Sequence, residues 1–177
     1  CNASGHATVK NLEIQADSIV GRDRVGVLAG EARNALIRNC TVSGALRGRD
    51  NVGGFAGAAG PWAAVVSSRD SLNISGRDDV GGLFGSMVHS RLDTVRANGR
   101  IDGRDRVGGA AGSAYGSRLR NIVSNAMIFG RDSVAGVLGL SIGSLRGERQ
   151  LSLLTKVKPP THLLGYDSPQ DGNFSYL

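Results

Sequence analysis

The side chains that could carry out acid–base or metal chemistry are few and widely spaced. The chain has three histidines, His6, His89 and His162, and none stands at metal-ligand spacing from a cysteine or another histidine. The sequence contains no Gly-x-Ser-x-Gly elbow, no His-Glu-x-x-His pair and no Walker loop. We therefore expect no catalytic residue, no metal site and no cofactor.

Arginine and aspartate, in contrast, recur together in a repeated unit, Gly-Arg-Asp-x-Val-Gly-Gly-x-x-Gly. Its opening glycines are spaced by 27, 28, 27 and 27 residues and are Gly21, Gly48, Gly76, Gly103 and Gly130. The pairs that follow them are Arg22-Asp23, Arg49-Asp50, Arg77-Asp78, Arg104-Asp105 and Arg131-Asp132. A period of about 20–50 residues is typical of architectures in which each repeat stacks on its neighbours.

The repeat argues against an enzyme, because an active site should interrupt a repeat rather than belong to it. Parallel β-helix enzymes that process acidic polysaccharides use Asp and Arg clusters, and glycoside hydrolysis needs two carboxylates that flank a cleft. The acids outside the repeat show no obvious pairing; they are Glu13, Glu31, Asp70 and Asp93. We therefore expect the protein not to be an enzyme, with a polysaccharide-processing β-helix as an alternative.

The apolar residues of each repeat predict four inward columns. The columns are Leu12, Cys40, Val95 and Ile122; Ile19, Leu46, Ile74, Ile101 and Ile128; Val25, Val52, Val80, Val107 and Val134; and Leu28, Phe55, Leu83, Ala110 and Val137. Alternation of apolar and polar residues, as in Val9-Lys10-Asn11-Leu12-Glu13-Ile14, is typical of half-buried strands. The sequence therefore predicts an all-β protein, a parallel β-solenoid (β-helix) of about five to six coils with a 27-residue repeat.

The Gly-Arg-Asp triplet is expected to form a corner of each coil, with a glycine that can take positive φ. Stacked coils would align the arginines and aspartates into two neighbouring ladders along one edge. Because like charges at that spacing repel, each arginine is expected to pair with an aspartate of its own or a neighbouring coil. The main task of the aspartate is expected to be acceptance of backbone N–H bonds that hold the turn.

The Val-Gly-Gly-Leu-x-Gly core, followed by an Asn-Cys-Thr-Val-like strand, resembles the GLUG-motif repeat over about residues 9 to 145. The best matches are Gly82-Leu83-Phe84-Gly85 and Gly54-Phe55-Ala56-Gly57, while Val27-Leu28-Ala29-Gly30 and Gly109-Ala110-Ala111-Gly112 depart from the pattern. GLUG-type repeats are found in large secreted or surface-displayed bacterial proteins, including virulence-associated adhesins. There the repeats look like a stalk or binding region, so the resemblance implies a secreted or cell-surface location and a role in adhesion.

The formal net charge of +6 comes from arginine, since the only lysines are Lys10, Lys156 and Lys158. A basic balance suits nucleic acid, anionic glycans or a lipopolysaccharide surface. Five arginines belong to the repeat's own pairs, however, so we expect no specific nucleic-acid partner. No apolar run reaches about 18 residues, which predicts no transmembrane segment. Cys1 resembles the lipidated first residue of bacterial lipoproteins, so a lipid anchor there stays open.

One interruption of the repeat marks a candidate binding site. The stretch Ala58-Ala59-Gly60-Pro61-Trp62-Ala63-Ala64 carries the only tryptophan, in the one 28-residue unit. The sequence spacing places His89 and Tyr115 at the equivalent corner of later coils. With nearby arginines these rings form a predicted patch for a glycan or a protein loop, whose residues are Trp62, His89, Tyr115, Arg33, Arg91 and Arg118. The alternative is that these side chains only cover the corner.

The repeat fades after Gly139, and the composition changes near Gln150. We therefore predict a solenoid domain at residues 1–149 and a C-terminal cap or linker at 150–177. A cap could use Leu151, Leu153, Leu154, Leu163 and Leu164 to cover the open end of the solenoid. The favoured function is non-catalytic binding to a host or cell-surface protein or glycan, and the first alternative is a structural stalk without a ligand.

Overall fold

The structure, a computed structural model, describes residues 7–143 together with the strand backbones at 2–3, 145–146, 150–151 and 157–158. Within this part of the chain every regular element is a β-strand, and the strands pair in parallel. They repeat in groups of four, and each group forms one coil of a β-solenoid of about five turns. The predicted all-β solenoid is therefore confirmed.

The strands follow one another through five coils and part of a sixth. The first coil has β1 (Asn2–Ala3), β2 (Ala7–Lys10), β3 (Glu13–Val20) and β4 (Asp23–Val25). The second has β5 (Ala29–Ala32), β6 (Ala35–Arg38), β7 (Thr41–Arg47) and β8 (Asp50–Gly53). The third has β9 (Ala56–Ala59), β10 (Ala64–Val66), β11 (Arg69–Ser75) and β12 (Asp78–Gly81).

The later coils continue the same order. The fourth has β13 (Phe84–Val88), β14 (Arg91–Ala97), β15 (Gly99–Asp102) and β16 (Asp105–Gly108). The fifth has β17 (Ala111–Tyr115), β18 (Arg118–Ser124), β19 (Met127–Phe129) and β20 (Asp132–Ala135). Strands of a sixth coil are β21 (Leu138–Ile142), β22 (Leu145–Arg146), β23 (Gln150–Leu151) and β24 (Val157–Lys158).

These strands stack into three sheets that run along the solenoid. Sheet 1 contains the first strand of each coil, from β1 to β21, and sheet 3 contains β4, β8, β12, β16 and β20. Sheet 2, with 13 strands, lies between them in chain order. Each coil crosses sheet 2 in two segments that meet at a bend. A coil therefore has four corners: sheet 1 to sheet 2, the bend of sheet 2, the Gly-Arg-Asp corner into sheet 3, and the turn from sheet 3 into sheet 1 of the next coil.

The apolar columns predicted from the sequence lie inside the solenoid. Parallel pairing joins Val52, Val80 and Val107 directly, and it joins Leu46, Ile74 and Ile101 in the same way. All six of these residues are buried. Cys40 is also buried, as its column predicted, and its sulfur points to the carbonyl of Arg38. A 27-residue repeat thus places identical side chains directly above one another.

The first predicted column departs from uniform apolar burial at two places, once in exposure and once in residue type. Leu12 is 39% exposed, because only one neighbouring coil packs against it in the part of the chain that the structure describes. In the third coil the column is filled by a serine rather than an apolar residue. Ser68 accepts a hydrogen bond from the Cys40 backbone N–H at 3.1 Å and donates to the Val66 carbonyl at 2.8 Å. The hydroxyl is therefore satisfied within the core.

Sheets 1 and 3 pack backbone against backbone, with glycine at the contact. A Cβ placed on Gly85 of sheet 1 would lie 2.4 Å from the carbonyl carbon of Asn51 in sheet 3. The closing glycines of the other repeats are equally crowded by sheet 3; they are Gly57, Gly112 and Gly139. A real Cβ does not approach carbon this closely, so the last glycine of the repeated unit is required by space.

The opening glycine of each unit serves a different purpose from the one expected. Its φ is not positive; instead, a Cβ on Gly48 would lie 2.6 Å from Cγ2 of Val52, so the glycine makes room for the buried valine. Positive φ falls on the residue after each aspartate, at Arg24, Asn51, Asp79, Arg106 and Ser133. The corner was therefore predicted correctly, but the residue that carries its unusual backbone conformation was not.

The solenoid pairing reaches beyond residue 149, the predicted end of the repeat domain. Gln150 and Leu151 pair with Ile122 and Val123, and Val157–Lys158 pairs with β19. The predicted cap or linker at 150–177, including the side chains of its five leucines, otherwise lies outside the described residues, as does Cys1. The division of the chain at residue 150 stays a prediction.

Replacing Gly85 by Ala should destabilise the fold, because the added methyl group would meet the backbone of sheet 3. We expect the free energy of unfolding to fall by about 1–3 kcal/mol or more, as for overpacked cores. Urea unfolding followed by circular dichroism measures the change. Ser86→Ala, at the next, half-buried position of β13, is the matched control and should change the stability little. Equal effects of the two substitutions would contradict the backbone contact.

Candidate functional site

The corner between sheets 1 and 2 requires a residue with positive φ in several successive coils. The residues at this corner are Asn34 (φ 49), Trp62 (φ 65), His89 (φ 47), Gly116 (φ 54) and Gly143 (φ 58). Glycine and asparagine adopt this conformation readily, whereas bulky residues do so at a cost of about 1–2 kcal/mol. Trp62 and His89 therefore adopt a backbone conformation that is unfavourable for their residue types. The requirements of the turn do not explain why these two residues occupy the corner.

Trp62 is presented by a tight turn. The Ala63 N–H donates to the Gly60 carbonyl at 3.2 Å, so Pro61 and Trp62 are the two central residues. Proline at the first central position and positive φ at the second are typical of a type II turn, where glycine or asparagine usually follows proline. The Trp62 side chain is 79% exposed, so its ring contributes little to the core.

His89 lies in the coil next to that of Trp62, and Tyr115 lies in the coil after that. The Trp62 N–H donates to the His89 carbonyl at 3.1 Å, which places these two residues in one column. The His89 ring covers Gly116, since a Cβ there would come within 2.6 Å of Nδ1. Tyr115 is paired with Val88 and therefore precedes the corner by one residue. The spacing predicts that the three rings share an equivalent corner, and the structure confirms this for Trp62 and His89 while Tyr115 stands one residue before the corner position.

The three predicted arginines extend this surface on both sides of the corner. The Arg33 side chain lies across Gly60 and pairs with Glu31, which is buried and also accepts from Arg24 at 3.0 Å. Arg91 and Arg118 lie next to each other in register at the start of sheet 2. Arg91 pairs with Asp93, whereas Arg118 has no ion pair among residues 7–143.

We call the surface formed by these six residues the aromatic corner. It consists of Trp62, His89, Tyr115, Arg33, Arg91 and Arg118, and all six side chains are exposed. They extend along the solenoid over four coils, from the second to the fifth. The arrangement offers ring faces beside cationic groups, and such a surface can hold a sugar ring or an acidic protein loop by stacking and charge-assisted hydrogen bonds.

The Gly-Arg-Asp corner carries a continuous zipper of ion pairs. Arg77 donates to its own Asp78 at 3.1 Å and lies 3.0 Å from Asp50 of the preceding coil. Arg104 repeats this geometry with Asp105 and Asp78, at 2.9 and 3.1 Å. The same pattern includes Arg22, Asp23, Arg49, Arg131 and Asp132. The alternating charges leave little net field along this edge.

The zipper also shifts the pKa of one of its carboxyl groups, that of Asp105. Partial burial alone would raise the pKa of Asp105, but hydrogen bonds and the positive charge of Arg104 outweigh it and lower the pKa. The expected role of these aspartates as acceptors of backbone N–H groups is replaced, in the described part of the chain, by pairing with arginine. Exposed pairs of this kind stabilise a fold by about 0–1 kcal/mol each. The contribution of the zipper to stability therefore depends on the number of its ion pairs and not on the strength of any one pair.

Asp70 is one of the acidic residues outside the repeat, and the sequence alone assigned it no structural role. It is 1% exposed, and its Oδ1 accepts from the Asn98 N–H at 2.9 Å, while its Oδ2 has no hydrogen-bond partner. Burial raises the pKa of Asp70 well above its ordinary value, although the Asn98 hydrogen bond opposes this. The fold therefore favours the neutral carboxyl group.

The described residues show no cluster of three His, Cys, Asp or Glu side chains that could hold a metal ion. Two of the histidines, His6 and His162, lie outside that part of the chain. Nor does the described part contain a helix that is long and apolar enough to cross a membrane.

Comparison with known proteins gives one local similarity. The chain is 38% identical over 64 residues to halomucin of Haloquadratum walsbyi, a match that covers 36% of this chain and 1% of halomucin. This chain therefore spans a very small part of that relative. No known protein family matches the sequence, and no solved structure matches it.

Replacing Asp70 by Asn should change how stability depends on pH. The folded wild-type protein keeps a proton on Asp70 that the unfolded chain releases above the ordinary aspartate pKa, so wild-type stability falls as the pH rises toward the raised pKa. The variant cannot ionise. Its free energy of unfolding relative to wild type should therefore rise by about 1.4 kcal/mol per pH unit across this window.

Urea unfolding of both proteins between about pH 4 and pH 8 measures this difference. Asp17→Asn is the control, because Asp17 is exposed and forms no ion pair in the described part of the chain. A difference between Asp70→Asn and wild type that stays constant with pH would show that the buried carboxyl is not held neutral.

Proposed function

We propose that this β-solenoid is a non-catalytic extracellular binding module of a secreted or surface-attached bacterial protein. It acts in adhesion and binds a host or cell-surface protein or glycan through the aromatic corner. The resemblance to GLUG-type repeats supports this setting. The local match to halomucin, a name that denotes a mucin, is consistent with an extracellular location.

The observation that carries the proposal is the conformation and exposure of Trp62. A tryptophan with φ 65 that is 79% exposed carries backbone strain without the burial that would offset it. Gly116 and Asn34 occupy the same corner in other coils, so the fold accepts residues that avoid the strain. Exposed tryptophan and arginine are the side chains that most often anchor an interface. We infer that Trp62 is kept for contact with a ligand.

The ligand would reach the aromatic corner from the side of the rod. Trp62 supplies an accessible ring face, Tyr115 a second ring with a hydroxyl, and Arg118 a cation without an ion pair in the described residues. Arg33 and Arg91 are held in place by Glu31 and Asp93, and this preorganisation reduces the entropy lost when they contact a ligand. The rigid solenoid fixes the distances between these groups. The protein therefore acts by presenting the rings and cations of the aromatic corner to a ligand at fixed positions.

Replacing Trp62 by Gly should weaken binding without weakening the fold. Glycine fits the positive φ, so stability should stay equal or rise by about 1 kcal/mol. Loss of an interface tryptophan should weaken affinity by about 2 kcal/mol or more, roughly 30-fold in Kd. A glycan array and a panel of host-matrix proteins, screened at physiological and at high salt, first identify the ligand, and calorimetry then compares the variants.

Tyr115→Ala and Arg118→Ala should reduce affinity by smaller amounts. Met127→Ala is the matched control, since Met127 is an exposed apolar residue of sheet 2 that lies outside the aromatic corner. A ligand that binds Trp62→Gly as tightly as wild type would place the binding surface elsewhere. A screen without any ligand would favour the alternative function, a structural stalk.

A further inference from the structure

The positive charges of this protein are not evenly neutralised. Among residues 7–143, ten arginines form ion pairs, and these include all five at the Gly-Arg-Asp corner. The cations without an ion pair in residues 7–143 are Lys10, Arg38, Arg47, Arg69, Arg96, Arg118 and Arg120. Five of these seven lie at the bend of sheet 2. The net positive charge is therefore concentrated on one edge of the solenoid.

The bend of sheet 2 is lined by a row of small polar residues with positive φ. The row consists of Asn11, Asn39, Ser67, Thr94 and Asn121. Asn39 Nδ2 donates to Asn11 Oδ1 at 2.8 Å, so neighbouring amides are aligned along the axis. Amide and hydroxyl groups of this row point outward between the two segments of sheet 2. They offer hydrogen-bond donors and acceptors at regular intervals.

The unpaired cations flank this row on both sides. Lys10 and Arg38 pair in register on one side, and Arg69 and Arg96 pair in register on the other. Stacked strands are about 4.8 Å apart, so these like charges stand close together without a counterion from the protein. Such stacking is unfavourable by itself, and an external anion would relieve the repulsion. We call this strip, including Arg120, the cationic bend.

The cationic bend is also concave at one end. An open cleft of about 440 Å³ is lined by Lys10, Asn11, Arg38, Asn39 and Ser67. Among the described residues two carboxylates lie near the strip, Glu13 and Asp93. Asp93 forms an ion pair with Arg91, and Arg120, in register beside it, also contributes to lowering the pKa of its carboxyl group, so Arg120 is the one cation of the strip with a carboxylate next to it in the described part of the chain. The strip therefore combines a cleft, a polar row and an excess of positive charge.

We propose that the cationic bend binds an acidic polysaccharide that lies along the axis of the solenoid. The cations would contact carboxylate or sulfate groups of successive sugar residues, and the polar row would bond their hydroxyl groups. A single-stranded nucleic acid fits less well, because base binding relies on aromatic rings. The strip contains no aromatic residue, and Trp62, His89 and Tyr115 lie at a different corner. This site is separate from the aromatic corner and does not depend on the proposed function.

The test compares two double variants that remove the same charge. Arg69→Gln/Arg96→Gln removes two cations from the bend, and Arg22→Gln/Arg47→Gln removes two exposed cations outside it. Affinity is measured by calorimetry for polygalacturonate and for dextran sulfate over a range of salt concentrations. Neutral dextran and single-stranded DNA are the comparison ligands. Circular dichroism and thermal unfolding verify that each variant is folded.

The first double variant should lose about tenfold in affinity for the acidic polysaccharide and show a weaker salt dependence, because fewer counterions are released. The second should stay within about twofold of wild type. Tighter binding of polygalacturonate would indicate recognition of carboxylate groups, and tighter binding of dextran sulfate would indicate recognition of sulfate groups.

Three results would overturn the proposal. Equal loss in both double variants would mean that only net charge matters. DNA bound as tightly as the polysaccharide, with the same residue dependence, would assign the strip to nucleic acid. Absence of binding to either polyanion at low salt would remove the site altogether.

Discussion

The contact between the backbones of sheets 1 and 3 is the constraint on which the rest of this structure depends. Side chains are absent from that contact, so the two sheets approach more closely than the usual separation of about 10 Å between packed sheets. The interior that remains is narrow and is filled by columns of valine, leucine and isoleucine. In the described coils this packed interior leaves no large space for a ligand. A ligand, if one is bound, would therefore have to contact the outer edges and faces of the solenoid.

The sequence predicted the architecture well because a parallel stack converts a period into columns. Once residues 27 apart lie above one another, Leu46, Ile74 and Ile101 must share an environment, and burial follows from their type. The glycine-rich core of the unit was equally informative. The residues with positive φ could not be predicted in the same way. They follow the aspartate of each unit and are of different types: Arg24, Asn51, Asp79, Arg106 and Ser133. Chemical diversity at that position hid a common backbone conformation.

The candidate site could be predicted only in outline. The extra residue near Gly60 and the single tryptophan located the corner, because they interrupt the period. The strain at Trp62 depends on backbone geometry that residue spacing does not contain, whereas the offset of Tyr115 by one residue is already present in the spacing. Charge was the hardest property to place, since a count of arginines does not tell which of them meet an aspartate. In the structure the arginines of the Gly-Arg-Asp corner are neutralised by aspartates, whereas most arginines of the cationic bend form no ion pair in the described part of the chain.

The extra residue of the third coil has a consequence for how such proteins diversify. The sheets before and after Gly60 keep their register with the neighbouring coils, so the insertion is absorbed within one corner. A coil that carries such a loop has the same stacking faces as a coil without it. Gene duplication could therefore copy the loop-bearing coil or move it along the rod. The number and spacing of ligand contacts would then change, and with them the avidity of the whole molecule, while each single contact stayed the same.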